Sequence, residues 1–422
     1  MKVYPHTNSR VSSRKNQSSS VGKFGVGVYL DYAATTPVKK EVLAAMLPYF
    51  KNEFGNPSSI HSWGQIARKA IDESRRTIAQ FLNCRSEEII FTGSGSEADN
   101  LAITGLIYRL GSKNRPHIIT SAFEHHAVLK TCKDLEKKGL AEVTYIRPNK
   151  EGIIEVEKIQ KAIRANTVLV SIMYVNNEIG TIQPIREIGK MIEKMNKLRK
   201  QKIYFHTDAV QAAAFRHAYL PMDVDYLHID LLTLSGHKIG APKGIGLLYF
   251  RTGTPLSSII HGGEQENGLR AGTENVPYIV GLGKAVELIN KKENSNLENL
   301  QKYFIDKVTK EIPKVYLNGS KTERAPHIIN FYFKHIEGES IVLGLDLEGV
   351  ACSTGSACTS QSLEPSHVIM SIFNDHFRAA GSVRFSFAKQ TTIKELDYTL
   401  LKLKEVIKRL RKISPYGGKN DH

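Results

Sequence analysis

Three side chains in this sequence can carry out covalent chemistry if the fold brings them together: the amine of Lys238, the carboxylate of Asp208 and the thiol of Cys358. A lysine that follows a strand, as in Ser-Gly-His-Lys, can form a Schiff base with an aldehyde cofactor when its pKa is lowered. A carboxylate at a strand end can keep a pyridine nitrogen protonated, and Gln211 can reach a ring hydroxyl. The ordinary alternatives are a solvated lysine and an aspartate that caps a helix.

Cys358 lies in a loop of small residues, Ser-Thr-Gly-Ser-Ala-Cys-Thr-Ser, that begins at Ser353. Such a loop can carry a thiol into a site, where the thiol attacks well only if its pKa is lowered. We interpret Cys352 as a core residue, and Cys84 and Cys132 as structural. Four cysteines without Cys-x-x-Cys spacing predict neither a disulfide framework nor a zinc site, and they favour a reducing compartment.

Two further polar residues are candidates for binding. His125, in Glu-His-His-Ala, can stack on an aromatic ring or shuttle a proton, although the adjacent His126 leaves the assignment open. Arg384, in Ser-Val-Arg-Phe-Ser, can clamp a substrate carboxylate through two hydrogen bonds. A structural histidine and an ordinary surface arginine are the competing interpretations.

The run from Gly93 to Ser96 suits a phosphate group. Its small residues let the backbone approach closely, and a helix that begins near Ser96 offers free N–H groups. Ser96 followed by Asp99 predicts a capping box, so a helix cap without a ligand explains the same residues.

The elements that must position these residues alternate between helices and strands. Apolar residues at helical spacing predict helices such as Ser62–Leu82 and Ile185–Leu198. Apolar runs predict strands at Glu88–Thr92, His117–Thr120, Val168–Val175, Lys202–His206, Tyr226–Leu234 and Gly246–Phe250. This alternation predicts an α/β fold with a mostly parallel sheet that is covered on both faces.

Four polar clusters fall at the ends of these strands and begin at Gly93, Asn176, Asp208 and Ser235. In open α/β sheets, ligands bind beyond the carboxyl ends of the strands. Because four clusters would meet at one edge, the sequence predicts a single site there.

The chain ends differ in character from the middle. Residues 1–27 are rich in Ser, Lys and Arg, with no acidic residue before Asp31, and predict a disordered extension, although a transit peptide has the same composition. After about Gly281, charged helices, a few strands and a final amphipathic helix at Ile393–Lys412 predict a second, smaller α+β domain.

The net charge of +16 is compatible with nucleic acid, an acidic partner or an anionic cofactor. We interpret it as solvated lysine-rich surface and expect no direct contact with nucleic acid, because no recognition motif is present. No apolar stretch is long enough for a membrane helix, so we expect no membrane association. The expected location is cytoplasmic, with a mitochondrial or other organelle location if the leader is a transit peptide.

Taken together, these motifs resemble the cysteine desulfurases, in the class V aminotransferase group of fold-type I pyridoxal 5'-phosphate (PLP) enzymes. The resemblance runs from about Tyr29 to Lys412. It is carried by Leu-Asp-Tyr-Ala-Ala-Thr-Thr-Pro from Leu30, Phe-Gly-Asn-Pro from Phe54, Val-Asn-Asn-Glu-Ile-Gly from Val175, Ser-Gly-His-Lys at Ser235, Arg-Ala-Gly-Thr at Arg270 and Ser-Thr-Gly-Ser-Ala-Cys-Thr-Ser at Ser353.

The resemblance implies an α/β fold-type I PLP-dependent transferase with two domains. The large, mostly parallel-sheet domain that binds PLP would span residues 44–280, and the smaller α+β domain residues 281–422. The segment 28–43 would associate with the small domain. A mobile catalytic loop would span about residues 350–364.

The resemblance also implies residue roles. Lys238 would bind the cofactor covalently, Asp208 would pair with the ring nitrogen, and Gln211 with the ring oxygen. His125, rather than His126, would stack on the ring. The residues implied to hold the phosphate are Gly95, Ser96, Ser235, His237 and, from the other subunit of a homodimer, Thr273. Asn177 and Arg384 would orient the substrate, and Cys358 would attack it.

The implied reaction removes sulfur from L-cysteine, releases L-alanine and leaves a persulfide on Cys358. The sulfur would pass to an acceptor such as an iron–sulfur scaffold or a tRNA-thiolation enzyme. The resemblance implies no resident metal, and it leaves open a role for Cys358 as a transient ligand of an iron–sulfur cluster. The alternatives are a selenocysteine lyase or related β-elimination enzyme, and a sulfur-delivery or scaffold protein.

A few positions depart from the family pattern. Ile239, Gly240 and Ala241 stand where Tyr-Gly often follows the lysine, and Asn267 stands where an arginine is frequent. The sequence ends soon after Pro415, whereas housekeeping members have a longer tail that contacts the iron–sulfur scaffold, which argues against that particular partner.

Overall fold

The computed structural model describes residues 27–111, 115–214, 220–289, 295–355 and 365–414. Nearly all of the predicted N-terminal extension lies outside the described residues, as do Cys358 and most of its loop.

Twelve strands are present in this described part of the chain: β1 (Val28–Tyr29), β2 (Ile89–Thr92), β3 (His117–Ser121), β4 (Glu142–Ile146), β5 (Thr167–Ser171), β6 (Tyr204–Asp208), β7 (Leu231–Ser235), β8 (Gly246–Phe250), β9 (Val315–Leu317), β10 (Ile328–Phe333), β11 (Val350–Ala351) and β12 (Ser382–Ser386). The helices are α1 (Lys40–Lys51), α2 (Ser62–Leu82), α3 (Gly95–Leu110), α4 (His126–Lys137), α5 (Val156–Ala162), α6 (Ile185–Asn196), α7 (Val210–Ala213), α8 (Val276–Glu287), α9 (Ser295–Glu311), α10 (Gly338–Leu347), α11 (His367–Phe373), α12 (His376–Ala380) and α13 (Ile393–Ile413).

Seven strands form one large sheet in the order β2-β8-β7-β6-β5-β3-β4. Only β8 runs antiparallel to its neighbours, and the other pairs are parallel. Consecutive residues of one strand face two different cores: Ile118 belongs to one apolar cluster and Ile119 to the other. Burial on both faces explains why these strands are continuous apolar runs. The predicted α/β fold with a large, mostly parallel sheet is confirmed.

The predicted elements match where sequence periodicity is unambiguous. The predicted helix Ser62–Leu82 is α2, and the predicted strand Gly246–Phe250 is β8. The predicted strand Val168–Val175 is too long, because β5 ends at Ser171 and the next four residues are buried without being strand. The predicted strand Tyr226–Leu234 begins too early, since the chain turns at His228, which has φ of 55°.

The C-terminal part has its own three-stranded antiparallel sheet, in the order β12-β10-β9. β10 is buried along its whole length, and α9 contributes to the same core through Phe304. The N-terminal strand β1 pairs in parallel with β11, with Val28 opposite Val350. The first described strand therefore lies beside the C-terminal part of the chain. The domain boundaries at residues 43/44 and 280/281 stay predictions.

A buried arginine connects the two parts near the sheet edge. Arg324, 7% exposed, donates hydrogen bonds to the carbonyls of Ser320 (2.8 Å), Asn318 (2.5 Å) and Ile179 (2.7 Å). Ile179 follows β5, whereas the other two carbonyls follow β9. Buried carbonyls are costly to leave without donors, so this side chain fixes how the two segments meet.

We expect Arg324→Met to lower the free energy of unfolding by about 3 kcal/mol, because it leaves several buried carbonyls without donors. Chemical denaturation measures the effect. Arg199→Met is the matched control, since Arg199 also donates to backbone carbonyls but at a more exposed position. Its expected loss is below about 1 kcal/mol. Equal losses in the two variants would contradict this account.

Candidate active site

The predicted site residues meet in one cavity of about 500 Å³, a volume typical of small-molecule sites. Ten of them line it: Gly95, Ser96, His125, Asn177, Asp208, Gln211, Ser235, His237, Lys238 and Arg384. The four polar clusters that begin at Gly93, Asn176, Asp208 and Ser235 therefore do converge.

The sheet register brings these residues to one edge. Asp208 and Ser235 are the last residues of β6 and β7, which are parallel neighbours. Gly246, the first residue of the antiparallel β8, pairs with Ser235 on one side and with Thr92 at the end of β2 on the other. The ends of β2, β6 and β7 therefore lie at the same edge.

The loop between β2 and α3 forms a close-packed cradle. The helix is capped by Ser94, whose hydroxyl accepts from the N–H of Glu97 (3.1 Å). The predicted capping box of Ser96 and Asp99 is therefore wrong, because the helix begins at Gly95 and Ser96 already lies inside it. A Cβ on Gly95 would lie 3.2 Å from the Cβ of Ser235, so the glycine lets backbone approach the cavity. The first turn of a helix offers N–H groups to an anion here.

Lys238 ends a short 3₁₀ turn that follows β7. Its Nζ donates to the carbonyls of Ala33 (2.6 Å) and Ala34 (2.7 Å), which come from the N-terminal segment. The turn packs tightly against β8, because a Cβ on Gly236 would lie 2.7 Å from a methyl group of Ile245. The amine is thereby held at the cavity by two distant parts of the chain.

Asp208 is a buried carboxyl that faces the same cavity. It is 6% exposed, and its Oδ1 accepts from the N–H of Val210 (3.0 Å). Burial raises its pKa to about 6, and the Val210 N–H and the Lys238 cation oppose that shift. A cation placed against this carboxyl would favour its ionised form.

A second buried carboxyl, Asp99, lies beside Asp208 and was missed as a site residue. Asp99 projects from α3, is 1% exposed, and among the described residues its Oδ1 has no hydrogen-bond partner. A carboxylate oxygen of Asp99, a ring nitrogen of His125 and a carboxylate oxygen of Asp208 all lie within 4.8 Å of one another. Burial, then the Asp208 charge, raise the pKa of Asp99 well above its usual range. A charged residue on the otherwise apolar buried face of α3 was the signal in the sequence.

His125, and not His126, lines the cavity. It caps α4, and its Nδ1 accepts from the N–H of Ala127 (3.2 Å). Burial and the nearby Lys238 cation lower its pKa to about 4, so at neutral pH the ring is uncharged and carries its proton on Nε2. His126 instead lies against His367, with ring centroids 4.6 Å apart.

Arg384 on β12 is 3% exposed, so it is not an ordinary surface arginine. Its guanidinium donates to the carbonyl of Asn177 (2.8 Å) and to the carboxylate of Asp31 (2.9 Å). Asp31 was not predicted as a partner. The pair orients the guanidinium at the wall of the cavity, where it can meet a substrate carboxylate.

Cys358 lies outside the described residues, but the residues on both sides of its segment contact one carboxylate. The hydroxyl of Ser366 donates to Glu178 Oε2 (2.5 Å), and a Cβ on Gly355 would lie 2.1 Å from the same oxygen. Gly355 also lines the cavity.

Thr273 does not line this cavity and is exposed. Its neighbours Gly272 and Glu274 line a separate small groove behind the cradle. Its predicted role toward another subunit stays a prediction. Of the departing positions, Ile239 is a core residue, and Asn267 adopts a left-handed conformation (φ 58°) that asparagine tolerates.

A family model described as Aminotransferase class-V matches residues 28–399. This chain belongs to that family. The cysteine desulfurase IscS of Dictyoglomus turgidum is 52% identical to it over 392 residues, which cover 92% of this chain and 96% of that protein. The predicted resemblance to the cysteine desulfurases is confirmed, and it implies a PLP enzyme.

Solved structures agree with this assignment. A NifS-like protein superposes with a TM-score of 0.83 at 33% identity, covering 91% of this chain and 100% of that one. A structure described as SspA in complex with cysteine has a TM-score of 0.75 at 38% identity, covering 86% of this chain and 100% of that one. Among the described residues, no helix combines the length and apolar character that crossing a membrane requires.

Glu124 completes the buried acidic surroundings of the cavity. Its Oε1 accepts from the hydroxyl of Ser121 (2.5 Å) and the N–H of Met173 (3.0 Å). Burial raises its pKa to about 8, with Asp208 adding to the shift. At neutral pH the folded protein therefore holds Glu124 mainly in its protonated form.

We expect Glu124→Gln to become more stable than the wild type as pH rises. In the wild type, the contribution of protonated Glu124 to the free energy of unfolding is fully present below pH 4.5. It is lost as pH rises through about 8, whereas glutamine does not titrate. The unfolding free energy of Glu124→Gln relative to that of the wild type should increase by on the order of 4 kcal/mol over that range. Urea denaturation at several pH values measures it. Glu157→Gln, on the exposed face of α5, is the control, and a pH-independent difference for both variants would disprove the assignment.

Proposed function

We propose that this protein is a PLP-dependent cysteine desulfurase that transfers the sulfur of L-cysteine to Cys358 as a persulfide. The observation that carries the proposal is the convergence of Lys238, Asp208 and His125 on one cavity at the carboxyl ends of the strands. No single one of these residues would support it, since each has a structural alternative when considered alone.

The cavity fits PLP in its charge and shape. A side chain at Gly95 would be in tight contact with Ser235, so the glycine leaves a backbone cradle for a phosphate, with Ser96 and His237 also lining the cavity. The buried Asp208 carboxyl is suited to a protonated ring nitrogen. The neutral His125 ring is suited to stacking on an aromatic face, and Gln211 to the ring oxygen.

When bound, PLP would supply an electron-withdrawing ring that stabilises negative charge at the α-carbon of the substrate. Arg384 would hold the substrate carboxylate, with Asn177 beside it. The amine of Lys238 would accept and return the α-proton from its position at the Ala33 and Ala34 carbonyls. Asp208 would keep its negative charge against the ring throughout.

The sulfur would then move to Cys358. Its thiolate would attack the substrate sulfur, the bond between that sulfur and the β-carbon would break, and the β-carbon would gain a proton. The balance is one L-cysteine and one Cys358 thiol in, and one L-alanine and one persulfide out. Three described cysteines, Cys84, Cys132 and Cys352, are free thiols, and burial raises the pKa of each, so they are poor nucleophiles.

We expect the purified protein to be yellow and to release alanine from cysteine, with sulfide appearing when a reductant is added. Cys358→Ala should lower turnover about 100-fold or more, because the attacking thiol is gone. Mass spectrometry should find one extra sulfur atom on the Cys358 peptide of the wild type. Cys132→Ala is the control and should keep the persulfide. Full turnover in Cys358→Ala would overturn the persulfide assignment, and a Lys238→Ala holoprotein with the same absorbance spectrum as the wild type would overturn the cofactor lysine.

The protein also carries an exposed apolar surface that suits a second copy of itself. Helix α1 presents Leu43, Leu47 and Phe50 along one stripe, and Phe54 contacts Trp63 at the start of α2 with ring centroids 5.2 Å apart. Grouped large apolar side chains that are exposed on a folded chain are typical of an interface. A homodimer would cover this surface and would allow Thr273 to serve the partner subunit.

We expect Trp63→Glu to shift the protein from a dimer to its 47.1 kDa monomer, because it places a charge in this surface. Light scattering measures the mass. Leu347→Glu is the matched control, since Leu347 is 83% exposed on α10 and outside the patch. A monomeric wild type, or dissociation of both variants, would rule out the interface.

The acceptor of the sulfur is proposed to be a protein thiol of an iron–sulfur or tRNA-thiolation pathway in a reducing, cytoplasmic compartment. Isolation of the persulfide acceptor under native conditions, together with cell fractionation, tests both statements. Nothing in the cavity favours selenocysteine over cysteine, and comparing the turnover of the two substrates distinguishes a lyase from a desulfurase.

A further inference from the structure

A histidine that the proposed reaction does not use connects the C-terminal part to the cavity. His327 immediately precedes β10, is 4% exposed, and its Nε2 lies 3.3 Å from Oε1 of Gln211. The backbone of His327 is fixed as well, since its carbonyl accepts from the N–H of Phe387 (2.8 Å). The imidazole is buried with its Nε2 against Gln211.

The orientation of the Gln211 amide follows from its other neighbour. Nε2 of Gln211 donates to the carbonyl of Ala33 (2.9 Å), and a carbonyl oxygen can only accept. The nitrogen end of the amide must therefore face Ala33, which turns Oε1 toward His327. His327 must in turn donate from Nε2, as a neutral ring with its proton on that nitrogen does.

Burial agrees with this donor assignment. Burial, together with the Arg384 and Lys238 cations, lowers the pKa of His327 to about 3, so the ring is neutral across the working range of pH. Oε1 of Gln211, a residue that lines the cavity, is directed toward His327. The second N–H of Gln211 is then the group that it can offer to a ligand in the cavity.

We propose that His327 is a positioning residue: it fixes the Gln211 amide so that the cavity receives an N–H donor, suited to an ionised oxygen on the cofactor ring. The inference rests on the proposed function, because the ring oxygen belongs to PLP. A donor to that oxygen withdraws negative charge from it. The Lys238 nitrogen would be joined to the cofactor next to that oxygen. It consequently binds its proton less tightly, which lowers its pKa.

The series of contacts continues from Gln211 through Ala33 to Lys238. The Ala33 carbonyl that accepts from Gln211 is the same carbonyl that accepts from Lys238 Nζ. His327, Gln211, Ala33 and Lys238 thus form one continuous series of hydrogen bonds from the C-terminal sheet to the candidate catalytic amine. A change at His327 is expected to act through Gln211, because Nε2 of His327 lies 3.3 Å from Oε1 of Gln211.

The test is the pH titration of the visible absorbance of the holoprotein without substrate, using His327→Gln and His327→Asn. Glutamine can place an amide N–H near the position of the imidazole Nε2, whereas asparagine is too short to reach Gln211. We expect the absorbance midpoint of His327→Asn to rise by about one pH unit, because a lost hydrogen bond to a charged group has about that effect. His327→Gln should stay close to the wild type.

Gln211→Glu is the second variant, because it removes the amide N–H at the rim of the cavity without changing side-chain size. Its midpoint should also rise, and by more than that of His327→Asn. A wild-type midpoint in His327→Asn or in Gln211→Glu would overturn the inference, as would equal shifts in His327→Asn and His327→Gln. A wild type that binds no PLP would instead refute the proposed function, so the two failures are distinguishable.

Discussion

The constraint on which the site depends is a negative charge held in a buried place. Asp208 ends β6 at 6% exposure, where an ionised carboxyl is costly unless a cation or hydrogen-bond donors face it. The Val210 N–H and the Lys238 amine provide part of that compensation. Asp99 increases the need for a compensating cation, because two buried carboxyls this close cannot both ionise easily. The arrangement is poor for an isolated core and well suited to a bound cationic ring.

The same cavity is assembled from three distant parts of the chain. The large sheet supplies Asp208 and Lys238, while the N-terminal segment supplies the Ala33 carbonyl that holds the lysine. The C-terminal sheet supplies Arg384, which is oriented by Asp31 of the N-terminal segment. Because each part contributes one half of a hydrogen bond or ion pair, the site forms only when all three are in register. The parallel pairing of β1 with β11 holds the N-terminal segment beside the C-terminal part.

The fold and the meeting of the polar clusters at one sheet edge could be predicted because apolar runs and the polar residues that end them are both local signals, whereas the roles of individual residues came from the resemblance to a family. Apolar composition reports burial rather than conformation, however, so the strand predicted at Val168–Val175 extended beyond β5. Asp99 was assigned to a helix cap, since its proximity to Asp208 depends on how α3 lies on the sheet. Glu178 and Asp31 were missed for the same reason: their partners are more than 180 residues away in sequence. Contacts between distant segments leave no pattern in a single sequence.

A crystal structure of the Cys358→Ala holoprotein with L-cysteine tests the central claim most directly, because this variant retains the cavity but lacks the attacking thiol. The account predicts that the cofactor ring nitrogen lies within hydrogen-bond distance of Asp208, with the Lys238 amine beside the substrate α-carbon and the substrate carboxylate on Arg384. A cofactor bound elsewhere, or a ring nitrogen turned away from Asp208, would contradict it.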